Sequence, residues 1–197
     1  MEKNILIILG HPKRNSLCGS LADSYEMGAK STKNKVRRIY LGEMKFDPIL
    51  KNMYKEIEPS EEIVKPKDLE SARKDIKWAD HIVFVFPTWW ASMPALLKGF
   101  LDRIFIPGFG YKFNDKRSLL PEKLFSGKTA HLLVTMDSPP LYYRFIVKEP
   151  GYRLMKDTLR FMGVKTTRNY FGSVKLADEK KIAAWISKVH RLGEKGR

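Results

Sequence analysis

One cysteine, Cys18, stands among 197 residues, which excludes an intrachain disulfide and any metal site built on clustered cysteines. That usage fits a reducing compartment. Long apolar runs are missing too. Residues 5–9 and 82–86 fall far short of the roughly 20 residues that cross a membrane as a helix. Glu2 stands where an export signal would carry basic residues, and the run behind it is short, so cytoplasmic residence without membrane insertion is the expectation. Repeats, linkers and low-complexity tracts are absent, and the length suits one domain over residues 1–197. His11, His81, His131 and His190 share no spacing motif, and no carboxylate or His/Cys pair has catalytic spacing. No metal is expected. His81 and His131 lie beside apolar runs and read as structural.

Positive charge is in excess. The net charge is +15, yet lysine and arginine are scattered from Lys3 to Arg197 without a block of five or six. No zinc-finger or RNP-type signature accompanies them, so a solvated basic surface is favoured over nucleic-acid binding.

Short apolar runs alternate with helical patterns. Strands are expected at 5–9, 35–41, 81–86, 129–135 and 166–171, the third being richest in β-branched and aromatic residues. Helices are expected from Leu17, over 68–77, over 94–105 and over 178–192. The last has Asp178 and Glu179 at its start and Lys188 and Arg191 at its end, matching the helix dipole. Such alternation predicts an α/β fold with an open parallel sheet covered on both faces. Two charged, Pro- and Gly-bearing stretches, 42–67 and 108–128, read as excursions from the sheet.

Ligands of such sheets bind past the carboxyl ends of the strands, which singles out three loops. In "GHPKRNSLCGSL" Ser16 is a natural N-cap for the helix from Leu17, and a capped helix start with His11, Lys13 and Arg14 around it suits a phosphate. A plain strand-to-helix turn explains the same residues equally well. In "FPTWWASMP" Pro87 ends a strand and Pro94 opens a helix. Two adjacent indoles cannot easily be buried the same way, so at least one should line a ligand or an interface. The third loop, "TMDSPPLYYRF", is a Pro-rich turn followed by two tyrosines. Cys18 near a helix start could have a lowered pKa, but with no catalytic partner its role reads as packing.

Taken together, the three loops resemble the flavodoxin-like NAD(P)H:quinone oxidoreductases. "ILIILGHPKRNSL" resembles that family's strand, His-Pro-x-x-x-Ser and helix. "ADHIVFVFPTWWASMPALLKGFLDRIF" matches its most specific segment, and "FGY" from Phe109, "GK" before the fourth strand and "RFMGV" from Arg160 also fit. The resemblance implies a flavodoxin-like three-layer fold with five parallel strands in the order 2-1-3-4-5. It implies a flavin, FMN or alternatively FAD, with chain length leaning to FMN, and NADPH or NADH as co-substrate. His11, Ser16, Leu17 and Cys18 would meet the phosphate and ribityl chain. Pro87, Thr88, Trp89 and Trp90 would line the isoalloxazine, and Thr135, Met136, Asp137 and Ser138 its pyrimidine edge. Trp90 is expected nearer the flavin, with Trp89 facing the pocket or a second subunit. Tyr143 falls over the substrate pocket. The implied activity is hydride transfer to a quinone, azo or nitro acceptor by a homodimer. The alternative is a flavin-bound ancillary subunit of a membrane transport system. "TMDS" departs from the family's frequent Thr-Thr-Gly-Gly, which bears on acceptor choice, and Gly108 replaces an acidic residue that some relatives carry.

Overall fold

A computed structural model describes residues 2–51, 66–114 and 120–197. In chain order its elements are Asn4–Leu9 (β1), Leu17–Lys30 (α1), Lys35–Tyr40 (β2), Lys67–Trp78 (α2), His81–Pro87 (β3) and Ala95–Ile104 (α3). There follow Tyr111–Lys112 (β4), Glu122–Lys123 (β5), Thr129–Thr135 (β6), Pro140–Phe145 (α4), Pro150–Phe161 (α5), Lys165–Phe171 (β7) and Glu179–Glu194 (α6). The main sheet is parallel throughout, ordered β2-β1-β3-β6-β7, which is the expected 2-1-3-4-5 with a small antiparallel β4–β5 ribbon inserted before the fourth strand.

Strand composition follows position. Every residue of the central β3 is buried, whereas the edge strands β2 and β7 keep exposed charged residues. Leu6, Ile8, Ile82, Phe84 and Leu132 face a core shared with α2, α3 and α5, while Ile5, Ile7, Val83 and Leu133 face α1 and α6. Each fully buried Leu, Ile or Phe contributes about 1.5–3 kcal/mol. Two glycines let α1 and α6 approach closely. A Cβ on Gly28 would lie 2.0 Å from the His190 carbonyl oxygen, and one on Gly193 would lie 2.2 Å from that of Tyr25.

Caps set the helix limits. Ser16 accepts from the Gly19 N–H at 3.2 Å, and Asp178 accepts from the Lys181 N–H at 2.8 Å. Residues 140–161, for which the sequence pattern predicts no helix, hold α4 and α5; α5 buries Tyr152, Met155 and Leu159 at helical spacing. Of the two excursions, 42–67 is described only to residue 51 and from 66. The other, 108–128, carries the ribbon, and its residues 115–119 lie outside the described residues. The buried Arg103 of α3 donates to the Asp47 carbonyl at 2.6 Å, pinning the first excursion to the sheet's helical layer.

His81 and His131 lie in neighbouring strands, two register positions apart. His81 Nδ1 pairs with Thr129 Oγ1 at 2.7 Å and His131 Nε2 with Asn169 Oδ1 at 2.8 Å. Burial pushes His81 down to about 3 and lowers His131 as well, so both are neutral packing groups. Among the described residues, no helix is long and apolar enough to cross a membrane, and no group of His, Cys, Asp or Glu could hold a metal ion.

Candidate functional site

β1 pairs with β2 on one side and β3 on the other, so the chain reverses its direction of travel across the sheet between β1 and β3. The loops leaving their carboxyl ends must splay apart there, and the gap is the crevice where such sheets take ligands. A cavity of about 220 Å³ lies in it, walled by the loops after β1, β3 and β6.

The first wall is the start of α1. Ser16 Oγ donates to the Lys13 carbonyl at 2.9 Å and accepts from Gly19, which leaves the N–H groups of Leu17 and Cys18 without an acceptor among the described residues. Both residues line the cavity with His11 and Ser16. His11 Nδ1 sits 2.9 Å from both the Lys13 N–H and the Lys13 carbonyl oxygen, the first contact placing the ring proton on Nε2 and the second on Nδ1; Nε2 has no partner among the described residues. Cys18 is buried, its Sγ 3.2 Å from Thr135 Oγ1, and burial pushes its thiol up to about 12. The helix start therefore does not activate it, because desolvation of a thiolate outweighs the dipole.

The second wall separates the two tryptophans. Trp89 and Ser92 exchange backbone hydrogen bonds of 2.8 and 3.0 Å, closing a two-residue turn whose central residues, Trp90 (φ 49°) and Ala91 (φ 62°), are both left-handed. Turns of this hand usually use Asn-Gly, so two non-glycine residues here carry strain. The two indoles take different places. Trp89 lines the cavity, its ring 5.8 Å from His11 and edge-on to it, whereas Trp90 sits on the turn tip, 101% exposed and away from the lining. Pro87 and Thr88 are also in the lining. Thr88 N–H is spent on the Thr135 carbonyl at 2.7 Å, but its buried Oγ1, near the Tyr143 hydroxyl, meets no partner in hydrogen-bonding geometry.

The third wall brings Thr135, Met136 and Asp137 to the cavity; Ser138 stays outside it. Asp137 is half-exposed and 3.3 Å from Lys175 Nζ. Tyr143 does not open onto the cavity either. It is 2% exposed, donates to the Ala91 carbonyl at 3.0 Å and accepts from the Gly151 N–H at 3.2 Å. Its hydroxyl clamps the strained turn from behind. Val174 joins the lining unforeseen. Its N–H donates to the Met136 carbonyl at 3.2 Å, pulling the segment after β7 against the third loop, and no local pattern marks it in the sequence.

A family model described as "Flavodoxin-like fold" matches residues 3–192. The chain belongs to the flavodoxin-like family. An uncharacterised NAD(P)H oxidoreductase of Haemophilus influenzae is 30% identical over 187 residues, spanning 93% of this chain and 90% of that protein. The human ribosyldihydronicotinamide dehydrogenase [quinone] is 29% identical over 64% of this chain, a match that takes in only 57% of that longer protein. In fold, an FMN-dependent NADH-azoreductase of Bacillus anthracis, solved with FMN, superposes with a TM-score of 0.76 over 98% of both chains at 16% identity.

Proposed function

We propose that the protein is a flavin-dependent NAD(P)H oxidoreductase reducing quinone, azo or nitro acceptors, with FMN as its flavin. The observation that carries this is the meeting, at one switch-point cavity, of an unsatisfied helix start, an aromatic wall and an orphaned buried hydroxyl. The donor set fits an FMN-like ligand. The free Leu17 and Cys18 N–H groups suit a terminal phosphate, with His11 Nε2 beside them as a further donor when it carries the ring proton. Trp89 offers a flat apolar face to a ring system. Thr88 Oγ1 has unused capacity for one polar ring atom. Asp137, partly neutralised by Lys175, stands at the cavity's far edge, where an acceptor-only carboxylate favours a ring N–H over a carbonyl.

Bound flavin supplies the two-electron chemistry, hydride in from NAD(P)H and hydride out to the acceptor. What this chain adds is position: the α1 start fixes one end of the ligand, Trp89 excludes water from one face, and the Tyr143 clamp holds the turn bearing Trp89. The names of the Haemophilus and human relatives agree with such an activity, and FMN in the azoreductase agrees with the cofactor.

A homodimer is part of the proposal. Trp90 is exposed on one side of the cavity, and Leu141, Tyr142, Phe145 and Ile146 of the α4 region are exposed as well. Tyr143 ties α4 to the Trp90 turn, so these apolar groups belong to one rigid unit suited to a second copy. The test is the visible spectrum of the protein titrated with FMN, followed by anaerobic bleaching with NADPH and NADH. Flavin uptake with bleaching and acceptor-dependent recovery is expected. Protein that takes up no flavin overturns the reading.

A further inference from the structure

A second cavity, of about 350 Å³, lies at the opposite end of the sheet, where β7 begins. Four cations line it: Lys123 of β5, Lys156 and Arg160 of α5, and Lys165 of β7. None has a carboxylate partner among the described residues, and no acidic residue lines the cavity. Several other cations do have carboxylate partners. Arg38 is paired with Asp23 and Glu26, Arg168 with Glu149, and Lys98 with Asp102.

Like charges at i and i+4, as Lys156 and Arg160 are, repel. The negative end of α5 accounts for a cation in its last turn, which is Arg160. It does not account for Lys123 or Lys165, which come from two other elements. Moreover, the last carbonyls of α5 are already satisfied: Leu159 accepts from Met162 and Val164, and Arg160 from Gly163. An independent feature points the same way. Thr166, also in the lining, has a buried Oγ1 with no hydrogen-bond partner. A hydroxyl left orphaned beside four cations that lack a carboxylate partner is a donor awaiting an acceptor.

We propose that this cavity binds a small polyphosphate anion, one carrying at least two phosphate groups. A single phosphate would leave much of the fourfold charge uncompensated, whereas a diphosphate can reach cations on all three elements and accept from Thr166. The length of β7 sets the site roughly 20 Å from the carboxyl-end cavity, so it is separate from any flavin or hydride donor there. The inference does not rest on the proposed oxidoreductase activity.

The experiment is calorimetric titration of the full chain with pyrophosphate and with ADP, at low and at physiological salt, with FMN in excess to occupy the α1 start. Saturable binding is expected. The double variant K156A/R160A should weaken it about tenfold or more, because two charge-assisted contacts go. Thr166→Val, which keeps shape and charge, should weaken it a few-fold. K180A/K181A, an equal loss of charge on α6, should leave it unchanged. Equal affinity for the two probes identifies free polyphosphate as the ligand, and tighter ADP binding a nucleoside diphosphate; both support the site. Three results overturn it: no saturable binding at low salt, equal weakening by K180A/K181A, or binding of a short RNA where neither diphosphate binds.

Discussion

Replacing Tyr143 by Phe removes one oxygen atom and separates two roles, a group touching the reacting atoms and a clamp on the loop beside them. In the structure the hydroxyl donates to the Ala91 carbonyl at 3.0 Å and accepts from Gly151 at 3.2 Å. Gly151 N–H also reaches the Ala91 carbonyl at 3.2 Å, so Phe leaves that donor satisfied and forfeits the hydroxyl's contribution. A net hydrogen bond is worth about 1 kcal/mol, and the weakened acceptor adds up to about one more. The turn it restrains carries two left-handed non-glycine residues, each costing about 1–2 kcal/mol, so losing the clamp lets the turn relax rather than merely loosen. Destabilisation of about 1–2 kcal/mol is therefore expected, a fall in Tm of about 2–8 °C for a chain of this size. Flavin affinity should fall several-fold as Trp89 moves, with turnover at saturating flavin nearly intact. The assay pairs a thermal melt with FMN titration and steady-state NADPH oxidation. Turnover collapsing by a thousandfold with an unchanged Tm would refute the clamp and restore a catalytic Tyr143. Ala91→Gly, which suits φ 62°, should offset part of the loss in the double variant.

Other perturbations probe the rest of the frame. Trp89→Ala should weaken FMN binding about tenfold, whereas Trp90→Ala should leave it within about twofold and loosen self-association, read by fluorescence titration and light scattering; the opposite ranking would overturn the assignment of the indoles. His81 is held near 3 against an ordinary 6.5, so between those values the unfolded chain binds the extra proton and stability is lost as pH is lowered, by up to about 1.4 kcal/mol per unit. That contribution is complete above 6.5, and His81→Gln should flatten the acid slope of the urea midpoint relative to the parent protein. Cys18, buried with its thiol near 12, should react with a disulfide reagent at mildly alkaline pH about 1,000-fold more slowly than in the unfolded chain. Rapid labelling of the native protein would contradict the packing that surrounds it.

The sheet was legible in the sequence because its signals are local. Residues 82–86 are uniformly apolar, and a fully buried central strand has no polar face to show. Ser16 and Asp178 announced their helices because an N-cap acts within three residues. α5 went unread since Pro150 and Gly151 look like breakers, although proline in a first helical turn is a start signal. The site divides the same way. Cavity residues that leave strand ends directly, His11, Pro87, Thr88, Thr135 and Met136, follow from topology alone. The allotment of the indoles does not, because a left-handed Trp-Ala turn is specified by distant partners, Tyr143 and Gly151, rather than by its own residues. Lys123, Lys156, Arg160 and Lys165 are dispersed along the chain, so only folding reveals their convergence.

Glu149 extends that dependence one step further from the cavity. It precedes α5 with a left-handed backbone (φ 44°), next to Lys148 at φ 65°. Its carboxylate accepts from Arg168 at 2.8 Å and from the Tyr170 hydroxyl at 2.7 Å, and the Tyr170 ring packs edge-on against Tyr143 at 5.5 Å. Two strained residues thus persist because a charged acceptor is satisfied twice. Glu149→Ala leaves Arg168 without its carboxylate, though still 3.9 Å over the Tyr152 ring, and should cost about 2 kcal/mol. Glu149→Gln keeps an acceptor for one donor and should cost about half of that. Both variants should lower flavin affinity in proportion to their loss of stability, since their route to the cavity runs through Tyr143 and the turn. In a Tyr143→Phe background the affinity loss from Glu149→Gln should shrink, because the clamp it steadies is already gone. Full additivity of the two in a double-mutant cycle would show that Glu149 braces α5 alone and has no reach to the site.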